Sequence, residues 1–276
     1  MVEIFERLEI KVDREKKELT IPTFRPDLEA AADIAEEVAR FYGYAKIKPT
    51  LATGTPTVGK RSYEQTITAI VKRAMLSNGL SEAMTYSFES PKVFDKLLIP
   101  QGDKLRDTVT ISNPLGEDFS VMRTTTLNGM LTSLSTNYNR RNEEAALFEI
   151  GKVFLPKALP LTELPDEPQK LSIAMYGNDT DFYTIKGIAE HLFDVLGIGN
   201  KAEFRPQGNI SWMHPGRTAD IYIGTNHAGY IGELHPTVAG NYSIETRVYF
   251  AVIDFSALVE GSCLITEYKA LPKYPA

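Results

Sequence analysis

NPLGEDFSVMRTTTLNGMLTSLSTNYNRRNEEAALFEIGKVF, residues 113–154, is the stretch on which the reading of the fold turns. Asn113-Pro114 and Leu115-Gly116 supply turn chemistry, because proline presets one backbone angle and glycine frees another. Val121-Met122-Arg123 is a short apolar and basic segment that runs into Thr124, Thr125 and Thr126. From Leu127 the apolar positions Leu127, Met130, Leu131, Leu134 and Tyr138 recur at helical spacing. Asn139-Arg140-Arg141-Asn142 breaks that pattern. Ala146-Leu147-Phe148-Glu149-Ile150 then ends at Gly151, and with Val153-Phe154 it predicts a half-buried strand. The order is turn, short strand, amphipathic helix, polar turn, strand.

Upstream, residues 63–78 predict a helix, with Tyr63, Ile67, Ile70, Val71 and Ala74 on one side and Asn78-Gly79 as its stop. A strand is expected over residues 82–88, then a helical patch over 93–98. Downstream of a proline-rich loop at 155–169, residues 171–176 predict a strand ending at Gly177. Ile185, Ile188, Ala189, Leu192 and Leu196 then share a helical face closed by Gly197, with His191 expected on the helix surface. Residues 220–223 alternate and Asn226-His227 predicts the turn of a β-hairpin. Residues 248–255 form a hydrophobic strand leading into the start of a helix.

At the other end, residues 5–10 and 17–21 predict two short strands around the turn Asp13-Arg14-Glu15-Lys16. The next segment, PTFRPDLEAAADIAEEVARFYGY, predicts a helix capped by Asp27 and stopped by Gly43. Leu28, Ala31, Ala35, Val38 and Tyr42 fall on one face at about 100° per residue, and Asp33, Glu36 and Glu37 on the opposite one. Three carboxylates on one face repel unless something neutralises them. A solvated stripe with Arg40 nearby is one reading, and a hard cation such as Mg²⁺, which takes carboxylate oxygens, is the other.

Composition bounds the rest. With 276 residues, 43% of them hydrophobic, the chain can bury a sizeable core in one large or two smaller domains. A net charge of −6 argues against a surface that grips nucleic acid regardless of sequence. The lone Cys263 makes no internal disulfide and is expected as a buried small hydrophobe, and no Cys/His spacing suits zinc. Met1-Val2-Glu3 does not open a signal peptide, and no apolar run nears the roughly 18 residues of a membrane span. A cytoplasmic setting with no membrane partner is expected. No serine elbow or catalytic cysteine accompanies His214 or His235, so both are expected to stabilise turns; Glu149 and Arg123 are expected in structural bonds.

NPLGEDFSVMRTTTLNGML followed by ALFEIGKVF resembles the bacterial phenylalanyl-tRNA synthetase β-subunit family, as do DFYTIKG, WMHPGRTA and GYIGELHP in that order. The resemblance implies an α+β fold: an antiparallel sheet flanked by helices, like a class II aminoacyl-tRNA synthetase core, preceded by part of a small winged-helix-like domain. It implies residues 1–50 for that small domain, 51–62 as linker and 63–267 as the core-like domain. Residues 268–276 would begin an anticodon-binding-type domain, so a piece of a longer polypeptide is expected. A working class II core holds ATP with arginines; Leu155 in Gly151-Lys152-Val153-Phe154-Leu155 stands where one would be, and nothing after Gly232 supplies the other.

The resemblance therefore implies a non-catalytic, architectural role with no catalytic residues. The chain would pack on the catalytic α subunit, with helices 63–78 and 127–138 at the interface, in an (αβ)₂ assembly with a second β subunit. That holoenzyme charges tRNA(Phe) using ATP, which is not expected to bind this segment. IPTFRPDLEAAADIAEEVARFYGY is similar to a family segment whose acids hold Mg²⁺ jointly with the α subunit, which implies Asp27, Asp33, Glu36 and Glu37 as metal ligands. The rivals are a self-sufficient ATP-dependent ligase, with Arg123 or Arg217 as substitutes, and an RNA-binding module using the Asn139–Asn142 loop and the patch of Lys46, Lys48, Lys60 and Arg61.

Overall fold

The computed structural model describes residues 1–265 and Tyr268, and the chain divides into two compact units, Met1–Gly59 and Lys60–Ala276. Apart from Tyr268, the expected beginning of a further domain at 268–276 lies outside the described residues.

In the first unit, helix α1 (Val2–Arg7) precedes strands β1 (Lys11–Asp13) and β2 (Glu18–Thr20) and helix α2 (Ala31–Tyr42). The strand expected over residues 5–10 is thus mostly helix. Glu3 and Arg7 pair across one turn at 2.6 Å, and Phe5 and Leu8 pack inward three residues apart, a helical rather than alternating period. The antiparallel hairpin turns where Asp13 Oδ1 accepts from the Glu15 and Lys16 amides. Phe5, Ile10 and Leu28 form the small core, with Ile34 and Val38 of α2 against them. The inward face of α2 therefore runs through Ile34, Glu37 and Val38, while Ala31, Ala35 and Tyr42 of the expected face are exposed. The frame slipped because alanines give little apolar area to bury.

The second unit is built on a seven-stranded sheet in the order β3-β6-β7-β11-β10-β9-β8. These are Ser81–Glu82, Ala145–Lys152, Gln169–Tyr176, Tyr249–Asp254, Asn226–Leu234, Met213–Ile223 and Ala202–Pro206. The sheet is mixed rather than wholly antiparallel, because β3 runs parallel to β6. Side chains alternate across it, as a pleated strand requires. Leu171, Ile173, Met175, Ala251 and Ile253 pack with helices α3 (Tyr63–Ser77), α6 (Phe182–Val195) and α8 (Phe255–Gly261). Ala174, Tyr176, Phe250 and Val252 pack on the other face with α4 (Val93–Lys96), α5 (Leu127–Asn139) and α7 (Pro236–Asn241).

Several sequence expectations hold in this unit. Leu127, Met130, Leu131 and Leu134 of α5 are fully buried, and Tyr138 meets Tyr176 edge to face at 5.6 Å. Gly79 stops α3 as expected, at φ 83°, a left-handed value glycine adopts without strain. The caps at the other ends, Ser62 through Gln65 on α3 and Asp181 through Thr184 on α6, were not anticipated from the sequence.

Three expectations are corrected. The strand over 82–88 is two short pieces, β3 and β4 (Phe88–Glu89), and β4 pairs with β5 (Val121–Met122) outside the large sheet. The intervening Thr85 is drawn to Glu149, its hydroxyl donating to Oε2 at 2.8 Å, so the chain leaves the sheet there. The β9–β10 turn is Gly224-Thr225 rather than Asn226-His227, since Asn226 already pairs with Ile223 and Gly224 has φ 62°. Cys263 is exposed; it follows the end of α8, its backbone amide donating to Leu196 O and its thiol to Ile265 O at 3.5 Å.

Candidate functional site

The acids expected to hold metal are separated by their partners. Asp33 occupies the third position of α2, and its Oδ2 accepts from the Ala30 and Glu29 amides at 2.7 and 3.0 Å, so Asp33 rather than Asp27 caps the helix. Asp27 instead accepts from Arg25 at 2.6 Å, and the same guanidinium reaches Glu37 Oε1 at 2.9 Å. Arg40 closes on the other Glu37 oxygen. Bonds from Arg25 hold the Asp27 carboxyl below its ordinary range; bonds from Arg25 and Arg40 do the same for Glu37, against the opposing effect of burial. Glu36 is exposed and makes no hydrogen bond or ion pair among the described residues. Among those residues no three His, Cys, Asp or Glu side chains converge as a metal site. Arg25 and Arg40 thus neutralise the buried acid Glu37.

The centre of the second unit is an arginine–carboxylate junction. Arg123 Nη1 lies 3.0 Å from Glu149 Oε1, both side chains about as buried as the apolar core at 4% and 5% exposure. Arg123 also donates to Lys152 O at 2.7 Å and to the Thr85 hydroxyl at 2.8 Å. Two glycines make room. A Cβ on Gly129 would lie 2.6 Å from Thr85 Cβ, and one on Gly151 would lie 2.8 Å from Glu149 Oε1. The structural roles expected for Arg123 and Glu149 are those observed, and neither is free for a substrate. Leu155 exchanges backbone hydrogen bonds with Asp166.

The histidines also hold structure. His214 Nδ1 accepts from the Gly216 amide, His235 Nδ1 from the Thr237 amide, and His191 meets Asn78 on the surface at 2.7 Å. Arg217 donates twice to buried Glu233, at 2.7 and 2.8 Å.

Two features carried no sequence signal. The first is Glu89, 4% exposed, whose Oε1 has no hydrogen-bond partner among the described residues; burial pushes its carboxyl up to about 7, opposed by Asn128 and by the charge of Arg123. Asn128 in turn accepts from the buried Tyr242 hydroxyl at 2.8 Å. The second is an apolar lip around β4. Met84 and Tyr86 are 91% and 79% exposed, Leu115 also stands in solvent, and Tyr86 meets Phe119 edge to face at 5.9 Å. By contrast, the apolar faces of α3 and α5 are already buried in their own chain.

Comparison with known proteins places this architecture. The family profile described as the phenylalanyl tRNA synthetase beta chain CLM domain matches residues 47–255, and the tRNA synthetase B5 domain profile matches residues 1–44. The chain is 46% identical over its whole length to the phenylalanine–tRNA ligase beta subunit of Clostridium acetobutylicum and 43% identical to that of Clostridium tetani. It spans 35% of the length of each of these relatives. Among solved structures, a pyrrolysyl-tRNA synthetase from Desulfitobacterium hafniense matches with a TM-score of 0.58 at 15% identity. That match covers 72% of this chain and 70% of the other, a likeness of fold alone. With one profile spanning most of its length and a second covering its start, the chain belongs to the phenylalanyl-tRNA synthetase beta chain family.

Proposed function

We propose that this chain is a non-catalytic scaffold within a phenylalanine–tRNA ligase, packing on a catalytic α subunit in an (αβ)₂ assembly with a second β subunit. The assembly charges tRNA(Phe) in the cytoplasm at the expense of ATP, and the ATP is bound by the α subunit. The observation that carries this reading is the apolar lip of Met84, Tyr86, Phe88, Leu115 and Phe119. Aromatic and methionine side chains clustered in solvent mark an interaction surface. The junction beside it supports the non-catalytic part, because Arg123 is closed on Glu149 and Leu155 replaces a nucleotide-binding guanidinium. The lip takes the place of α3 and α5 as the contact.

The first unit, two helices around a two-stranded hairpin, we read as a reduced winged-helix arrangement. If magnesium joins it to the α subunit, Glu36 is the carboxylate still open to a shared cation.

Co-expression with the α subunit from the same source, followed by size-exclusion chromatography with light scattering, tests the proposal. Co-elution at a defined stoichiometry, lost in Met84→Asp/Tyr86→Asp and retained in a variant of the outer face of α3, is expected. Co-elution that survives the double variant would move the contact elsewhere. No association, with the full-length β chain as well, would overturn the scaffold reading.

A further inference from the structure

Residues 84–89 alternate like an amphipathic strand turned inside out. Met84, Tyr86 and Phe88 are exposed, while at the alternate positions Thr85 and Ser87 are half-buried and Glu89 is buried. A strand with one solvated face normally buries its apolar side. Here the polar side faces inward, and the only buried residue of the six is a glutamate. The segment's anchor in the interior is a carboxyl group.

That anchor has no counter-charge of its own. Among the described residues Arg123 is the only buried lysine or arginine, and its charge bears on two buried carboxylates, Glu149 and Glu89. Its hydrogen bonds go to Glu149, to the Thr85 hydroxyl and to Lys152 O. From α5, Glu89 meets the neutral Asn128, whose oxygen is already taken by the Tyr242 hydroxyl at the end of α7. Burial keeps the Tyr242 phenol protonated, and the Lys96 ammonium of α4 rests on the Tyr242 ring, 3.8 Å from its centre. In the turn at residues 117–119, which also packs on β4, Glu117 pairs with Lys92 at 2.9 Å and Asp118 is exposed. Two buried carboxylates beside one guanidinium do not both stay ionised. Glu149 takes the charge and Glu89 keeps the proton.

The backbone ties of the segment are few. The Ala83 amide donates to Phe148 O at 2.7 Å where the chain leaves the sheet, the Arg123 amide donates to Ser87 O at 2.8 Å, and β4 pairs with β5 over two residues. Lifting this piece exposes little new apolar area, because its three apolar side chains already stand in solvent. Segments of that kind open locally while the core stays intact.

We propose that residues 84–89 form a proton-held strap: with Glu89 neutral the strap lies on β5 and α5, and when Glu89 releases its proton to solvent the strap lifts, carrying Met84, Tyr86 and Phe88 with it, while the seven-stranded sheet stays folded. The strap is a property of this chain and does not depend on the scaffold role. Where the lip serves as a docking surface, alkaline solution withdraws part of it.

The Arg123 amide reports the strap, since its acceptor is Ser87 O, and the Ile173 amide, in β7 between β6 and β11, reports opening of the whole unit. Hydrogen exchange of the 276-residue chain, read by NMR at several low urea concentrations and corrected for intrinsic rates, compares the two. The Arg123 amide should be less protected than Ile173 and less sensitive to urea. Its opening equilibrium should rise about tenfold from about pH 6 to about pH 8, and Glu89→Gln should abolish that rise. Equal protection and equal urea dependence at the two amides overturn the proposal, because the strap then never lifts apart from the whole. A local opening that is independent of pH, or whose pH dependence persists in Glu89→Gln, overturns it as well. The two-amide comparison on the unaltered chain decides the matter even where the variant fails to fold.

Discussion

Arg123 and Glu149 come from β5's end and the middle of β6, 26 residues apart in sequence, yet they form an ion pair at 3.0 Å inside the protein. Thr85 closes the triangle, accepting from Arg123 and donating to Glu149. The pair joins the large sheet to the small β4–β5 ladder. Its charges are compensated by hydrogen bonds on both partners, which a buried ion pair needs to be tolerated.

Breaking one side of that pair should be costly. Arg123→Leu leaves a buried carboxylate, with an expected loss of about 3–5 kcal/mol of unfolding free energy. Arg123→Leu/Glu149→Leu removes both charges and should recover a large part of the loss. Urea denaturation of the single and double variants measures this, and an Arg123→Leu loss below about 1 kcal/mol would contradict the buried-charge account.

Gly129 and Gly151 should tolerate no side chain. Gly129→Ala pushes a methyl against Thr85, and about 1–3 kcal/mol of destabilisation is expected from overpacking. Pairing it with Thr85→Gly, which removes all three side-chain atoms the methyl meets, should make the Gly129→Ala step less costly than it is beside threonine. Thermal unfolding of the single and paired variants is the check; full additivity would show that the two residues do not collide.

Glu89 makes stability depend on pH in a direction opposite to most carboxylates. Its folded value, pushed up to about 7 from 4.5, means the folded chain binds a proton that the unfolded chain has released. Stability is therefore lost as pH rises from the unfolded value through about 7, and the loss should be about 3 kcal/mol. Glu89→Gln should flatten this dependence and become the more stable form above neutrality. Denaturant midpoints for both proteins between acidic and mildly alkaline pH would show it. Parallel curves would mean that Glu89 is not the titrating group.

Glu37 works the other way. Its folded value is lowered, so its contribution is present above the unfolded carboxylate range and is lost as pH falls through the folded value. Arg25→Gln removes one of its two guanidinium partners and should lower stability at neutral pH. The difference from the unaltered chain should shrink in acid. Hydrogen exchange of α2 amides is a suitable local measurement, and equal protection in both proteins would count against the network.

Local periodicity carried the main elements of the second unit. The α5 face, the α3 and α6 faces and stops, and the core strands β6, β7 and β11 were legible because each satisfies its apolar spacing from neighbours in sequence. The first unit was less legible. Its short pieces carry few turns of any period, so α1 resembled a strand and the frame of α2 slipped by a residue.

By itself, the order of motifs determined the family, the mixed helix-and-sheet architecture and the structural roles of Arg123, Glu149, His214 and His235. Only the tertiary structure decided that Arg25 and Arg40 neutralise Glu37, that Glu89 is buried without a full set of partners, and that Met84 and Tyr86 stand in solvent. The physical reason is range. Spacing and capping are properties of neighbouring residues, whereas charge compensation and burial depend on which distant segments share a low-dielectric interior.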